Sequence, residues 1–228
     1  MKVTYYHHSG FSVELENTVL LFDYYTQDGK YNGFAPEAYE GKKLLVFVSH
    51  AHGDHYDRSI WKFAQRAVYL LPEDIAVPAG VAAKAVHMTA HEETTVEGVQ
   101  IKTLLSNDEG MAFMVKAEGK TIYHAGDLNW WHWNGESDAF NEDIRQSYCG
   151  EIDRLKGEKI DAAFVPVDPR LEDKYCWAAD YFMEQIGADA LFPMHFWRHF
   201  SICRKLAEKP YGEKVMEITG ENVTFDLP

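Results

Sequence analysis

Residues 44–55 restrict this chain more than any other stretch. They join an apolar run of strand length, residues 44–49, to four metal-binding side chains: His50, His52, Asp54 and His55. A run without polar alternation is the pattern of a strand buried on both faces. In an extended chain alternate side chains share a face, so His50 and His52 point together as the strand ends. Gly53 lets the chain turn sharply, which brings Asp54 and His55 round to a second position nearby. Such an arrangement can hold two metal ions close together. Imidazole and carboxylate are ligands of catalytic Zn²⁺ and also suit Fe and Mn. Random placement of these residue types gives the pattern in roughly one such sequence in 600. Packing alone offers no reason to crowd three imidazoles and a carboxylate after a buried strand.

The rest of the chain alternates strands with helices. Strands are expected over residues 3–6, 11–15 and 19–23, with turns at Gly10 and Asn17, and a loop over 24–43. A helix over 58–65 and a strand over 68–71 follow. Residues 99–105 alternate weakly, and 111–117 with 121–124 form a hairpin around Glu118-Gly119. Phe140, Ile144, Tyr148, Ile152 and Leu155 recur at helical spacing, which predicts an amphipathic helix over 139–156 lying on the core. Strands over 162–167 and 190–194 enclose a helix over 177–186. No linker interrupts the chain, so residues 1–228 read as one α/β domain.

The His50-Ala51-His52-Gly53-Asp54-His55 run resembles the signature of the metallo-β-lactamase superfamily. Other pieces resemble that family in the same order. Tyr5-Tyr6-His7-His8-Ser9-Gly10-Phe11 is similar to the opening hairpin of its ascorbate-phosphate lactonase-like branch, and Val19-Leu20-Leu21-Phe22-Asp23 to the next strand. Thr121-Ile122-Tyr123-His124-Ala125-Gly126-Asp127 resembles the strand whose Asp bridges two metals. Leu191-Phe192-Pro193-Met194-His195 resembles the late strand whose His completes the second site. The resemblance implies a four-layer αββα sandwich, with metals where the loops of two sheets meet. It implies that His50 and His52 bind one ion, that Asp54, His55 and His195 bind another, and that Asp127 lies between. Before the strand at 111–117 the family supplies a further His, which is absent here. Asp108 is the best chemical substitute, with Glu109 and Asn107 behind it. Without a substitute, the first site keeps two His and Asp127, and becomes mononuclear or takes a harder ion such as Mn²⁺. Adjacent residues of an extended chain face opposite ways, so Asp108 and Glu109 are not expected to serve together.

The resemblance also implies hydrolysis. One or two divalent ions, Zn²⁺ first and Mn or Fe after it, would bring a bound water's pKa towards ~7. Asp54, both ligand and base, would orient that water and handle its proton. His8, Asp23 and His124 are expected to touch substrate or hold a ligand from behind. Trp131, Trp197 and Arg198 lie in aromatic loops after Asp127 and His195, where pocket wall and packing are both open. Arg170 reads as a surface ion pair before an anion site, and His87 and His91 as surface residues.

The net charge of −14, from 36 acids and 22 bases, opposes nucleic acid and anionic membranes. A small ester, lactone or phosphodiester is the expected substrate. Three cysteines, an odd number, and an N-terminus without an apolar signal core favour a reducing cytoplasm. The aromatic clusters also suit contact between copies, a homo-oligomer. Two other classes fit the residues: a non-hydrolytic metal-binding sensor or partner module with a decayed site, and an iron-dependent redox enzyme.

Overall fold

The apolar run ending at the histidines sits inside a sheet because both its faces are covered. A computed structural model describes residues 1–27, 29–30 and 33–228. Asp28, Tyr31 and Asn32, within the expected loop, lie outside the described residues. The first sheet takes β1 (Lys2–His7), β2 (Gly10–Glu14), β3 (Thr18–Phe22), β4 (Lys43–Phe47), β5 (Ala67–Pro72) and β6 (Ala85–Met88). The first three form an antiparallel meander, and β3 to β6 run parallel. The second sheet takes β7 (Glu93–Val96), β8 (Val99–Leu105), β9 (Met111–Ala117), β10 (Lys120–His124), β11 (Ala162–Pro166) and β12 (Ala190–Met194). Helix α1 (Asp138–Asp153) links β10 to β11, α2 (Trp177–Gln185) links β11 to β12, and α3 (Ser201–Ala207) follows. A last strand, β13 (Val223–Asp226), returns to the free side of β1.

Side chains on β4 divide between two cores. Leu45 and Phe47 enter the cluster between the sheets, with Phe11 and Phe22 against Phe113, Phe164 and Phe192. Leu44, Val46 and Val48 face the other way, against Tyr24, Phe34, Ile60 and Phe63. Full burial of a side chain such as Phe47 stabilises by about 2 kcal/mol. The chain over 24–63 therefore has to cover the outer face of the first sheet. It does so with 3₁₀ turns: the helix expected over 58–65 is the 3₁₀ segment Arg58–Phe63, whose Asp57 cap accepts from the Ser59 amide.

Helices α1 and α2 cover the second sheet. Tyr148 and Ile152 of α1 are buried as expected, but Phe140 is exposed and Ile144 only half-buried. Sequence reading also passed over β6, β7, α3 and β13, of four to seven residues, too short for periodicity to carry much signal. The three cysteines are buried and unpaired. Among the described residues, no helix is long and apolar enough to cross a membrane.

Candidate metal centre

Neighbouring strand ends build the site. Asp23, just past β3, accepts hydrogen bonds from the Ser49 amide and hydroxyl, both at 2.7 Å. Its Oδ2 also lies 2.7 Å from His55 Nδ1. The Ser49 hydroxyl is in turn 2.9 Å from His50 Nδ1. Two glycines let the second sheet close on this corner. Gly110 and Gly126 both adopt positive φ, and a Cβ would lie 2.0 Å from the Ser49 carbonyl oxygen and 2.7 Å from Ser49 Cβ respectively. Only residues without a Cβ fit such an approach.

Asp127 is the centre of the cluster. Its Oδ2 is 3.5 Å from His50 Nε2, while its Oδ1 is 3.0 Å from His55 Nε2 and 3.4 Å from His195 Nε2. The two oxygens thus face two groups of imidazoles. Three imidazoles are tied at Nδ1: His50 by Ser49, His55 by Asp23, and His195 by Asp168 at 2.8 Å. Such ties set the tautomer and leave the Nε2 lone pair for a metal. Buried His50 Nε2, His55 Nε2 and Asp127 Oδ1 make no properly angled hydrogen bond. Unpaired buried polar atoms are costly, and a cation between them would satisfy all three. The residues therefore fit a metal. Candidate ligand atoms lie within 4.8 Å of one another in several overlapping groups: His50, His52 and Asp54; His50, His55 and Asp127; His52, Asp108 and Asp127; and His8, Asp54, His55 and His195.

The electrostatics agree. Burial, reinforced by His55, pushes His50 down to about 4, so it is neutral and able to ligate. Burial opposes a charge on His55, yet Asp127 and Asp23 override it and hold His55 well above its usual value, so a cation at Nε2 would take the place of a proton there. Burial and then repulsion from Asp127 raise Asp108. Burial also opposes ionisation of Asp54, but His8 and His55 hold it far below the usual carboxylate range. Carboxylates crowded in this way call for positive charge. Four non-glycine residues around the cluster, His8, Asp23, His195 and Trp197, adopt left-handed φ. Each costs of order 1–3 kcal/mol, and such strain concentrates at functional sites.

The structure places the remaining expected residues as follows. Asp108 meets His52 and Asp127, in the place a further ligand would take. Glu109 does not turn away as alternation predicted: its Oε2 is 3.1 Å from His52 Nε2. Residues 107–110 form a bend, which breaks the extended-chain argument. His8 is buried, with Nε2 3.4 Å from Asp54, and burial followed by His195 pushes it down to about 3. His124 stacks on Phe22, lies 2.9 Å from the Ser9 carbonyl oxygen, and accepts from the Gly126 amide; it steadies the backbone beside Asp127. Trp131 donates its indole N–H to the Asp127 carbonyl and stands edge-on to His195, and Trp197 covers His8 at 4.0 Å. Arg198, for which pocket wall and packing were both open, is engaged by Glu221 at 2.8 and 3.1 Å. Arg170 does form an ion pair, with Asp168, but it does so in the wall of the metal cleft. His87 and His91 are exposed. Sequence reading missed Asp168 and Ser49 as holders of ligands, and Phe140 and Ile144 as cleft walls; Trp133, in the aromatic loop after Asp127, lines the cleft with Trp131. Asp168 follows β11 as His195 follows β12, and adjacent parallel strands were the available signal.

Comparisons with known proteins bear on family and fold. A family model described as a beta-lactamase superfamily domain matches residues 2–140. A metal-dependent hydrolase of Opitutus terrae is 34% identical over 146 residues, 56% of this chain and 63% of that protein. One of Bacillus cereus is 26% identical over 246 aligned positions, 97% of this chain and 96% of that protein. The solved structure of a metallo hydrolase from the archaeon Ignicoccus hospitalis superposes with a TM-score of 0.66 at 18% identity, covering 100% of this chain and 99% of its own; that likeness concerns the fold.

Proposed function

The chain belongs to the metallo-β-lactamase superfamily, and from that premise we propose that it is a metal-dependent hydrolase of a small ester, lactone or phosphodiester. One observation carries the reading: three imidazoles, each tied at Nδ1, turn Nε2 towards the two oxygens of a single carboxylate, Asp127. His50, His52, Asp108 and Asp127 would hold one ion; Asp54, His55, His195 and Asp127 would hold the other. Zn²⁺ suits the imidazoles, and the carboxylates at the first position shift preference towards Mn²⁺ or Fe. When bound, such ions supply Lewis acidity and make water a better nucleophile at neutral pH.

The chain's own groups do the rest. Asp54 stays ionised and borders the cleft, so a carboxylate oxygen can accept a hydrogen bond from the attacking water and fix its direction. As the new bond forms, Asp54 takes that proton; as a weak base it passes it on to the departing oxygen. His8 is neutral at working pH and stands beside Asp54, holding it in place without supplying acid. Trp131 and Trp197 keep bulk water from this side of the cluster. The cleft, about 350 Å³, admits a small molecule. With a net charge of −14 the surface opposes a polynucleotide.

The test is metal analysis followed by a substrate panel. Protein dialysed with Zn²⁺ or Mn²⁺ should retain one to two equivalents, and His50→Ala with His52→Ala should lose at least one. Metal-loaded protein should hydrolyse members of a panel of small esters, lactones and phosphodiesters. A wild-type protein that stays metal-free sinks the reading. Retained metal without any hydrolysis would favour a binding module.

A further inference from the structure

Apart from Trp131, the apolar side chains and the one cation that line the cleft have no part in the hydrolytic chemistry. Beside the candidate ligands the cleft is lined by Trp131, Trp133, Phe140, Ile144 and Arg170. The Trp131 and Trp133 rings are parallel within 3°, their centroids 6.0 Å apart. The Arg170 guanidinium carbon lies 6.0 and 5.7 Å from those two centroids. Phe140 is 41% exposed, one of two large apolar side chains in that state among the described residues. An exposed Phe at the mouth of a cleft, with Ile144 one turn further along α1, is surface available to a ligand.

Arg170 is held in one orientation. Asp168 accepts from Nε and Nη2, which occupies one side of the guanidinium fork. The Nη1 group makes no hydrogen bond among the described residues, so the end of the fork is free for a ligand in the cleft that Arg170 lines. A carboxylate or phosphate can meet that end with two parallel bonds. The fork is already fixed by Asp168, so little side-chain entropy is lost on binding. Two divalent ions would outweigh the carboxylates of Asp54, Asp108 and Asp127, so the loaded cleft does not repel an anion. Arg170 is the only Lys or Arg among the residues lining the cleft.

Resting on the hydrolase reading above, we propose that this wall selects the substrate: an acidic molecule with an apolar, preferably flat, group beside its scissile bond. Arg170 takes the acid group, and Trp133, Phe140 and Ile144 take the apolar body.

The probes are monobenzyl succinate, its neutral benzyl methyl diester, and monomethyl succinate. Wild-type metal-loaded protein should prefer the acidic benzyl ester over the diester in kcat/KM. Arg170→Gln should cut that preference about 10- to 100-fold, the range of a charge-assisted pair, and Arg170→Lys should keep part of it. Phe140→Ser, at an exposed position, should cut the preference for benzyl over methyl half-ester about tenfold. Metal content is measured in every variant. Equal losses on acid and diester in Arg170→Gln, or a preference that does not change, would overturn the inference while leaving the hydrolase reading intact. Binding is read separately by tryptophan fluorescence with the non-ester acid N-benzylsuccinamate and its neutral amide. If no ester is hydrolysed, the hydrolase reading falls and these titrations decide: tighter binding of the acid, weakened in Arg170→Gln, supports the recognition wall, and equal binding of both probes refutes it.

Discussion

The Asn107 side chain clasps the backbone of Asn129: its Nδ2 donates to the Asn129 carbonyl at 2.9 Å, and its Oδ1 accepts from the Asn129 backbone N–H at 3.2 Å. One loop carries Asp108 and the other follows Asp127, so the clasp sets the distance between two candidate ligands. Asn107→Ala removes both bonds, each worth about 1 kcal/mol. Metal affinity at the first position should fall about tenfold, read by competition with a chelating dye. Unchanged affinity would show that the clasp does not position Asp108.

Asp108→Ala should remove about one equivalent of metal and most activity. Asp108→His should restore metal and shift preference from Mn²⁺ towards Zn²⁺, because imidazole is the softer, uncharged ligand. Glu109→Ala should have a smaller effect, a few-fold in affinity. Its contact with His52 is solvent-exposed on both sides, and exposed pairs contribute little. Metal analysis of the three variants checks this; a Glu109→Ala loss as large as that of Asp108→Ala would reverse the assignment.

Asp168 sets His195 from behind. Asp168→Asn keeps the size but loses the charge that holds both His195 Nδ1 and Arg170. Groups that orient a metal-binding His typically contribute 10- to 100-fold in affinity. Loss of that order at the second position is expected, with metal content at the first retained. Calorimetric titration of the variant with Zn²⁺ should show one weakened site; two undisturbed sites would refute the role.

Glu221 links the C-terminal region to the loop after His195, holding Arg198 and His7. Arg198 first, and then His7, keep its carboxyl below the usual Glu range despite partial burial. A depressed folded pKa adds stability that is present above the unfolded value of about 4.3. That stability is lost as pH falls through the folded value. Glu221→Gln should therefore lower Tm at pH 7 by roughly 2–4 °C, about 1 kcal/mol in a chain of this size. The gap to wild type should close on acidification below about pH 4. A gap that persists at pH 3 would point to lost packing instead of lost charge.

The residues that make the first half of the site are close in sequence, and their chemistry was legible there. His50, His52, Asp54 and His55 depend only on strand alternation and a turn at Gly53, both local properties of the backbone. Leu44 to Val48 announced a doubly covered strand for the same reason, since which residues alternate faces is set by the chain itself. Asp127 and His195 showed only through resemblance, because nothing local marks either as a partner of His50. Local rules failed where the backbone bends: Asp108 and Glu109 both reach His52's neighbourhood, though an extended chain would separate them. The contact between Asp168 and His195 belongs to tertiary structure. Those residues are far apart in the chain, and they meet because β11 and β12 lie side by side with Pro166 opposite Met194. Strand pairing is a long-range choice made by burial of the sheet as a whole, and so is the placing of α1 that puts Phe140 in the cleft wall.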